Sequence, residues 1–227
     1  MPTTWTIRPA TQDDATGVIA VAAAAWRDTY QGLLRPETIE GFIERAYAVE
    51  RVKTRIADDH FYVAAEADGI VAFADALERD DRLDLVAIYA LPAFRGQGAG
   101  TSLLEALAER FPTRDISADV VAGNRKGEAF YERRGFSQRE TMEATLLGEP
   151  VVERRWYRPA GATHAQEELP GHGCADREAV RHLVESEEPG GGGAPGVHRV
   201  STSSTSSRRP SARRSRPPAS PGRSPWP

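Results

Sequence analysis

The stretch Leu91 to Gly100, LPAFRGQGAG, places Gly96, Gly98 and Gly100 between a β-prone apolar run, Leu83 to Leu91, and a segment carrying Leu103, Leu104, Leu107 and Phe111 at helical spacing. Glycine costs backbone entropy, so three in alternation mark a place where the chain must turn left-handed or let another group approach its backbone. Apolar strand, glycine loop and amphipathic helix in that order require a strand-loop-helix unit. Successive N–H groups at such a helix start form a cradle for an anion.

The rest of the chain supplies partners for that unit. Trp5 to Arg8 alternates as a first strand. Thr11 and Asp14, at capping-box spacing, open a first helix through Val18, Val21, Ala22, Ala25 and Trp26. Pro36 opens a long second helix with Ile39, Phe42, Ile43, Ala46, Val49, Val52 and Ile56 on one face, a break midway being left open. His60 to Ala65 and Ile70 to Leu77 flank Asp68-Gly69 as a hairpin. Leu83 to Leu91, apolar on both faces, reads as a central strand. After the glycine loop come a helix ended by Pro112, a strand from Ile116 to Val121, a short helix capped by Asn124 and stopped at Gly135, and two strands around Phe136 to Leu146 and Val151 to Tyr157. Gly127, inside that short helix, costs about 1 kcal/mol relative to alanine and is expected to distort it. The order β-α-α-β-β-β-α-β-α-β-β is that of a mixed α/β sheet with helices packed on it.

Composition changes near Pro159. Residues 1–159 read as one globular domain, and residues 160–227 as a disordered tail, because GGGGAPG, STSSTSSRRP and RRSRPPASPGRSPWP bury too little apolar surface to offset chain entropy. The whole chain carries a net charge of -4. The tail holds nine arginines, no lysine and seven acids, so the first part is the more acidic, and no nucleic-acid surface is expected. One cysteine, Cys174, excludes an internal disulfide, and the start MPTTWTIRPATQDD lacks the basic-then-apolar pattern of a signal peptide. The run Gly17 to Trp26 is too short to span a bilayer. A cytoplasmic protein that binds no membrane is the expectation.

Several occupants of the loop are open to it on spacing alone. A Walker-type phosphate loop needs Gly-Lys-Ser/Thr, and Gly100 is followed by Thr101 and Ser102. A dinucleotide fingerprint starting at Gly96 needs glycine at 101 and finds threonine, although Asp119 lies at a suitable distance downstream. A plain tight turn before a helix needs no ligand at all. The sequence Arg95-Gly96-Gln97-Gly98-Ala99-Gly100, however, resembles residue by residue the Gln/Arg-x-x-Gly-x-Gly/Ala signature of the GNAT superfamily of acetyl-CoA-dependent N-acetyltransferases. Three further segments share the likeness: Asp84 to Pro92 resembles the family's central strand, Asn124 with Ala129 to Phe136 its second cofactor segment, and Trp26 to Leu33 the W-x-x-x-Y-x-G stretch of a subgroup.

The resemblance runs from about Thr4 to Tyr157. It implies a sheet of about seven strands with a splayed central strand, four helices, and a slot for acetyl-CoA as acetyl donor. On that likeness Ile88, Tyr89 and Ala90 meet the pantetheine arm through backbone, Arg95, Gly96, Gln97, Gly98, Ala99, Gly100 and Thr101 surround the pyrophosphate, and Asn124 contacts pantetheine, caps its helix, or both. Tyr131 is implied to protonate or hydrogen-bond the leaving sulfur. An amine near pKa 10.4 must lose a proton before it attacks a thioester. Asp84 is the candidate base, acting through water because it is shorter than the family's usual Glu. Trp26, Tyr30 and the loop from Gly32 to Arg35 are expected to face the acceptor, a small-molecule or peptide amine, with the last turn opposite. A non-catalytic acyl-CoA or nucleotide-binding module on the same fold is the contrasting class, and a homodimer is left open. No metal is expected: His172, Cys174 and His182 match no ligand spacing, and His60 reads as structural.

Overall fold

The computed structural model describes residues 5–67 and 69–162. The tail and its cysteine and histidines, and Asp68 of the hairpin, lie outside the described residues. Seven strands form one sheet in the order β1-β2-β3-β4-β5-β7-β6. They are β1 (Thr6–Pro9), β2 (His60–Glu66), β3 (Gly69–Glu78), β4 (Arg82–Ala90), β5 (Asp115–Val121), β6 (Ser137–Leu146) and β7 (Glu149–Arg158). Every neighbouring pair is antiparallel except β4 and β5. A parallel pair needs a crossover connection, supplied here by the glycine loop and the helix after it.

Among the described residues five α-helices cover the sheet rather than four: α1 (Ala15–Tyr30), α2 (Pro36–Ala46), α3 (Val49–Asp58), α4 (Ala99–Arg110) and α5 (Arg125–Glu132). The long second helix is divided at Tyr47 and Ala48. Adjacent residues on a helix point about 100° apart, yet Ala46 and Tyr47 are both buried, at 0% and 4% exposure. Leaving the helix turns Tyr47 inward, edge-on to Phe42 and Phe73. The price is at Val49, counted with the apolar face on spacing alone but exposed at the start of α3.

Each face of the sheet carries its own core. On one, Val18, Val21, Trp26, Phe42 and Val52 from α1 to α3 meet Phe61, Val63 and Phe73. On the other, Leu103, Leu104 and Leu107 of α4 lie on Ala72, Ala74, Leu83, Leu85 and Ala118. Small alanines on the second face let α4 approach closely; truncating any of these fully buried leucines to alanine costs about 2–5 kcal/mol. The first face also buries charge: Arg55 donates to Asp75 and lies over the rings of Tyr47 and Phe61. His60 packs edge-on against Phe111 and sits 3.6 Å from Glu78. No helix among the described residues is long and apolar enough to cross a membrane.

Candidate active site

The sheet is split where the site forms. β4 and β5 pair in register from Arg82↔Asp115 to Leu85↔Ala118 and no further. Beyond that point β4 still pairs with β3 through Ala74↔Ile88, Phe73↔Tyr89 and Ala72↔Ala90. β5 likewise continues with β7 through Asp119↔Arg155 and Val121↔Glu153. The two strands diverge while each is held from behind, so the gap is a wedge with rigid walls. Its origin is local: Asp75 pairs with Ala87 but Ala76 with Leu85, leaving Val86 as an extra residue that bends β4 where its pairing with β5 stops.

The glycine loop caps the open end of that wedge. A short 3-10 turn, Pro92–Phe94, leads from β4 into it, and Gly96 and Gly98 adopt left-handed backbone at φ +76° and +102°. Gly98 directly precedes α4, and the first N–H donated back to it is that of Ser102, at 2.9 Å. The N–H groups of Ala99, Gly100 and Thr101 therefore have no partner within the helix and point out of its start. Gly100 answers a different need: a Cβ there would lie 3.1 Å from the Phe130 ring, so its absence lets α5 pack on α4. Arg134 reinforces this contact, lying over the Phe130 ring and donating to the Thr101 hydroxyl at 3.0 Å.

Arg95 turns away from the cradle. Its guanidinium pairs with Asp28 and donates to Thr29 Oγ1 at 3.1 Å and to the Ala25 carbonyl at 3.3 Å, bracing the loop on α1. Lys126 adds a second cation 3.5 Å from Asp28.

Three buried tyrosines lie within electrostatic reach of one another at the wedge. Tyr30 comes from the end of α1, Tyr89 from β4 and Tyr131 from α5; Tyr30 interacts with the side chains of Tyr89 and Asn124, and Tyr131 feels the charges of Tyr30 and Asp119. Desolvation raises the pKa of all three, that of Tyr30 to about 12, so all are protonated donors at neutral pH. Trp26, expected at the acceptor side, is 4% exposed and stacks on Phe42 at 3.9 Å, so it backs Tyr30 from within the core. Asn124 caps α5, its Oδ1 accepting the Gly127 N–H at 2.9 Å. α5 runs unbroken through Gly127, contrary to the expected distortion.

Two segments expected from the sequence to flank the acceptor lie against each other. The Arg35 N–H donates to the Glu149 carboxylate at 3.2 Å, closing the turn between β6 and β7 onto the connection between α1 and α2. Leu33 on that connection lies over Gly123, where a Cβ would be 3.2 Å away.

Asp84 is not brought to this cluster. It lies in the paired part of β4, roughly 13 Å along the strand from Ile88 at about 3.3 Å per residue. Its carboxylate accepts from Ser117 at 2.6 Å, Arg82 at 2.7 Å and Arg79 at 3.0 Å. Desolvation opposes its ionisation, but these three donors outweigh it and hold its pKa below the ordinary value. What sequence reading missed is Glu153: it sits in an alternating strand like any solvent-facing acid, yet only 7% of it is exposed. Among the described residues no group of His, Cys, Asp and Glu is arranged to hold a metal.

A mixed seven-stranded sheet, split beside a glycine-led helix start, defines the class of fold, and comparison with known proteins names it. The sequence model of the acetyltransferase (GNAT) family matches residues 21–136. A spermidine N(1)-acetyltransferase of Thermoplasma acidophilum is 26% identical over 156 residues, 65% of this chain and 97% of the relative. An uncharacterised N-acetyltransferase of Mycobacterium tuberculosis is 29% identical over 129 residues, 54% of this chain and 83% of its own length. Among solved structures, the PaiA N-acetyltransferase of Thermoplasma acidophilum in complex with coenzyme A superposes with a TM-score of 0.61 at 22% identity, covering 69% of this chain and 99% of that one. A GCN5-related N-acetyltransferase of Rhodopseudomonas palustris gives 0.60 at 20% identity, covering 70% and 98%. The chain belongs to the GNAT acetyltransferase family and is an acyltransferase of that kind.

Proposed function

We propose that this protein moves the acetyl group of acetyl-CoA to the primary amine of a small cationic molecule by direct attack in a ternary complex. The observation that carries the reading is the wedge itself: a gap between β4 and β5, walled by strands pinned from behind, headed by the start of α4 and crossed by Tyr30, Tyr89 and Tyr131. The parts fit the donor. The N–H groups of Ala99, Gly100 and Thr101 and the left-handed turns at Gly96 and Gly98 form a cradle suited to a pyrophosphate. The free edge of β4 from Ile88 to Ala90 offers backbone groups to an amide-bearing arm, and Asn124 stands opposite.

Bound acetyl-CoA supplies an activated thioester. The Ala90 N–H, on the side of β4 turned from β3, is the donor this reading assigns to the oxyanion. Tyr131 keeps its proton, because burial raises its pKa well above the roughly 8.5 of a thiol. Its part in this reading is to hydrogen-bond the departing sulfur rather than to surrender a proton outright. Arg95 acts as a brace between loop and α1, and Asp84 as a clamp that keeps β4 and β5 paired below the gap. The amine-acetylating activity named for the Thermoplasma relative supports a small amine as acceptor.

The test is an acceptor panel for the full chain, from spermidine to amino-acid and peptide amines, following free thiol released from acetyl-CoA. Amine-dependent release is the expected result. Tight coenzyme A binding by calorimetry with no release for any amine would instead establish a binding module.

A further inference from the structure

We propose that Glu153 of β7 is the carboxylate that takes the proton from the acceptor amine, the duty for which sequence alone nominated Asp84. The proposal rests on the transferase reading above. Glu153 pairs with Val121, the last residue of β5, and with Met142 of β6, so it stands on the α1 to α3 face beside the open end of the wedge. The residue is more than nine-tenths buried, at 7% exposure. Two positions along its strand, Arg155 gives both Nε and Nη2 to Asp119 at 2.8 Å, so the nearest cation is already neutralised by another acid. Neither of those donors goes to Glu153, on which Arg155 acts as a nearby charge that desolvation outweighs. A buried carboxylate left in that state calls for a cationic or proton-donating partner.

The groups around it come from every neighbouring element. Tyr30 faces it from α1, Asp119 from β5, Arg155 from its own strand and the apolar Met142 from β6. Tyr30 in turn joins it to Tyr89 and Asn124 at the gap. Desolvation, then the charge of Asp119, push the Glu153 pKa up to about 7, with Arg155 opposing. A base poised near the working pH is the most effective one. Asp84 differs on both counts, having three donors and a lowered pKa.

The step balances as follows. The ammonium gives one proton to Glu153, and the neutral nitrogen forms a bond to the thioester carbon. The carbon–sulfur bond breaks, its electron pair leaving with sulfur. The nitrogen sheds its second proton to that thiolate while Tyr131 hydrogen-bonds it, and Glu153 returns its proton to solvent.

Glu153→Gln tests this with two acceptors: an alkyl amine accepted by the wild type, and hydrazine, a weaker base whose nitrogen is largely unprotonated by about pH 9, where an alkyl amine is still mostly charged. For the alkyl amine, kcat/KM is expected to fall roughly 10²- to 10⁴-fold. The pH limb near neutrality should vanish, with acetyl-CoA affinity and Tm unchanged. For hydrazine the loss should stay under about tenfold, because little proton removal is then required. Glu153→Asp should keep the pH limb at lower kcat. Equal losses for both acceptors, or unimpaired alkyl-amine turnover, would overturn the role of Glu153 alone. No amine-dependent thiol release by the wild type overturns the transferase reading and this role with it.

Discussion

Gly127 lies directly beneath the cap it serves: Asn124 Oδ1 accepts its N–H at 2.9 Å, and a Cβ on Gly127 would fall 2.7 Å from Asn124 Nδ2. Glycine to alanine inside a helix ordinarily stabilises by close to 1 kcal/mol. Here the sign reverses, because the methyl forfeits about 1 kcal/mol of cap and relieving its 2.7 Å contact with the capping side chain costs about 1 kcal/mol or more besides. Gly127→Ala should lower Tm and, by moving Asn124, weaken coenzyme A binding. A raised Tm in thermal denaturation would refute this account of the residue.

Gly98 combines left-handed backbone at φ +102° with the position just before α4. Gly98→Asp adds backbone strain and sets a negative charge at the cradle. Calorimetry should show coenzyme A affinity reduced by at least about 100-fold, equivalent to roughly 2.7 kcal/mol. Affinity within threefold of wild type would remove the loop from the binding site.

Tyr131 is 7% exposed and lies edge-on to Phe130 and Phe136. Tyr131→Phe retains the packing and deletes only the hydroxyl. The expected outcome is kcat lower by roughly 10²-fold with acetyl-CoA affinity preserved, measured by steady-state kinetics alongside calorimetry. Equal turnover would exclude a contact between this hydroxyl and the sulfur.

Asp84→Asn separates a clamp from a base. Removing the charge takes the counter-ion from Arg79 and leaves Arg82 only the exposed Asp81, which should cost about 1–3 kcal/mol of stability. Because the folded-state pKa of Asp84 is depressed, its contribution is present above the unfolded value of about 3.9 and fades as pH falls. The difference in stability between wild type and variant should therefore narrow below about pH 4. The pH dependence of kcat/KM should not change; loss of its ascending limb would return Asp84 to the role of base.

Asp59 supplies a stability change of the opposite sign. Its Oδ2 and Asp75 Oδ1 are both buried without a donor, and one proton on Asp59 satisfies both. Burial and then the charge of Asp75 push the Asp59 pKa up to about 8. Since the folded value lies above the unfolded one, this contribution is full below about pH 4 and is lost as pH rises through about 8. Asp59→Asn keeps a donor and cannot ionise. Relative to wild type its Tm should rise by at least about 3 °C between pH 5 and pH 9, the shift about 1 kcal/mol produces in a chain of this size. Parallel Tm curves would show that the pair does not share a proton.

Elements whose causes are local were readable in the chain: the seven strands, the helix starts at Pro36 and Asn124, and the glycine loop with its two left-handed turns. The break at Tyr47 was only half readable, because spacing continues across it and the reason for the break is the burial of Tyr47 against Phe73 of another element. Arg95 and Asp84 show the same limit in the site. Their positions in a motif mark them as functional, but whether a guanidinium or carboxylate is free depends on Asp28, Thr29, Ser117 and Arg82, which the sequence does not connect to them.

By itself, then, the order of residues determined the seven strands, the helix starts and the glycine turn at Gly96 to Gly100, because backbone conformation, apolar period and capping are properties of neighbours along the chain; the split in the sheet was legible only through the family resemblance. Only the tertiary structure decided how each acid is held. Asp84 is neutralised by donors from its own strand, the preceding turn and β5, whereas Glu153 is desolvated by α1, β5 and β6 with its nearby cation already taken by Asp119. Charge balance in a buried site is set by contacts across the fold, and those are made only when the sheet closes around the wedge.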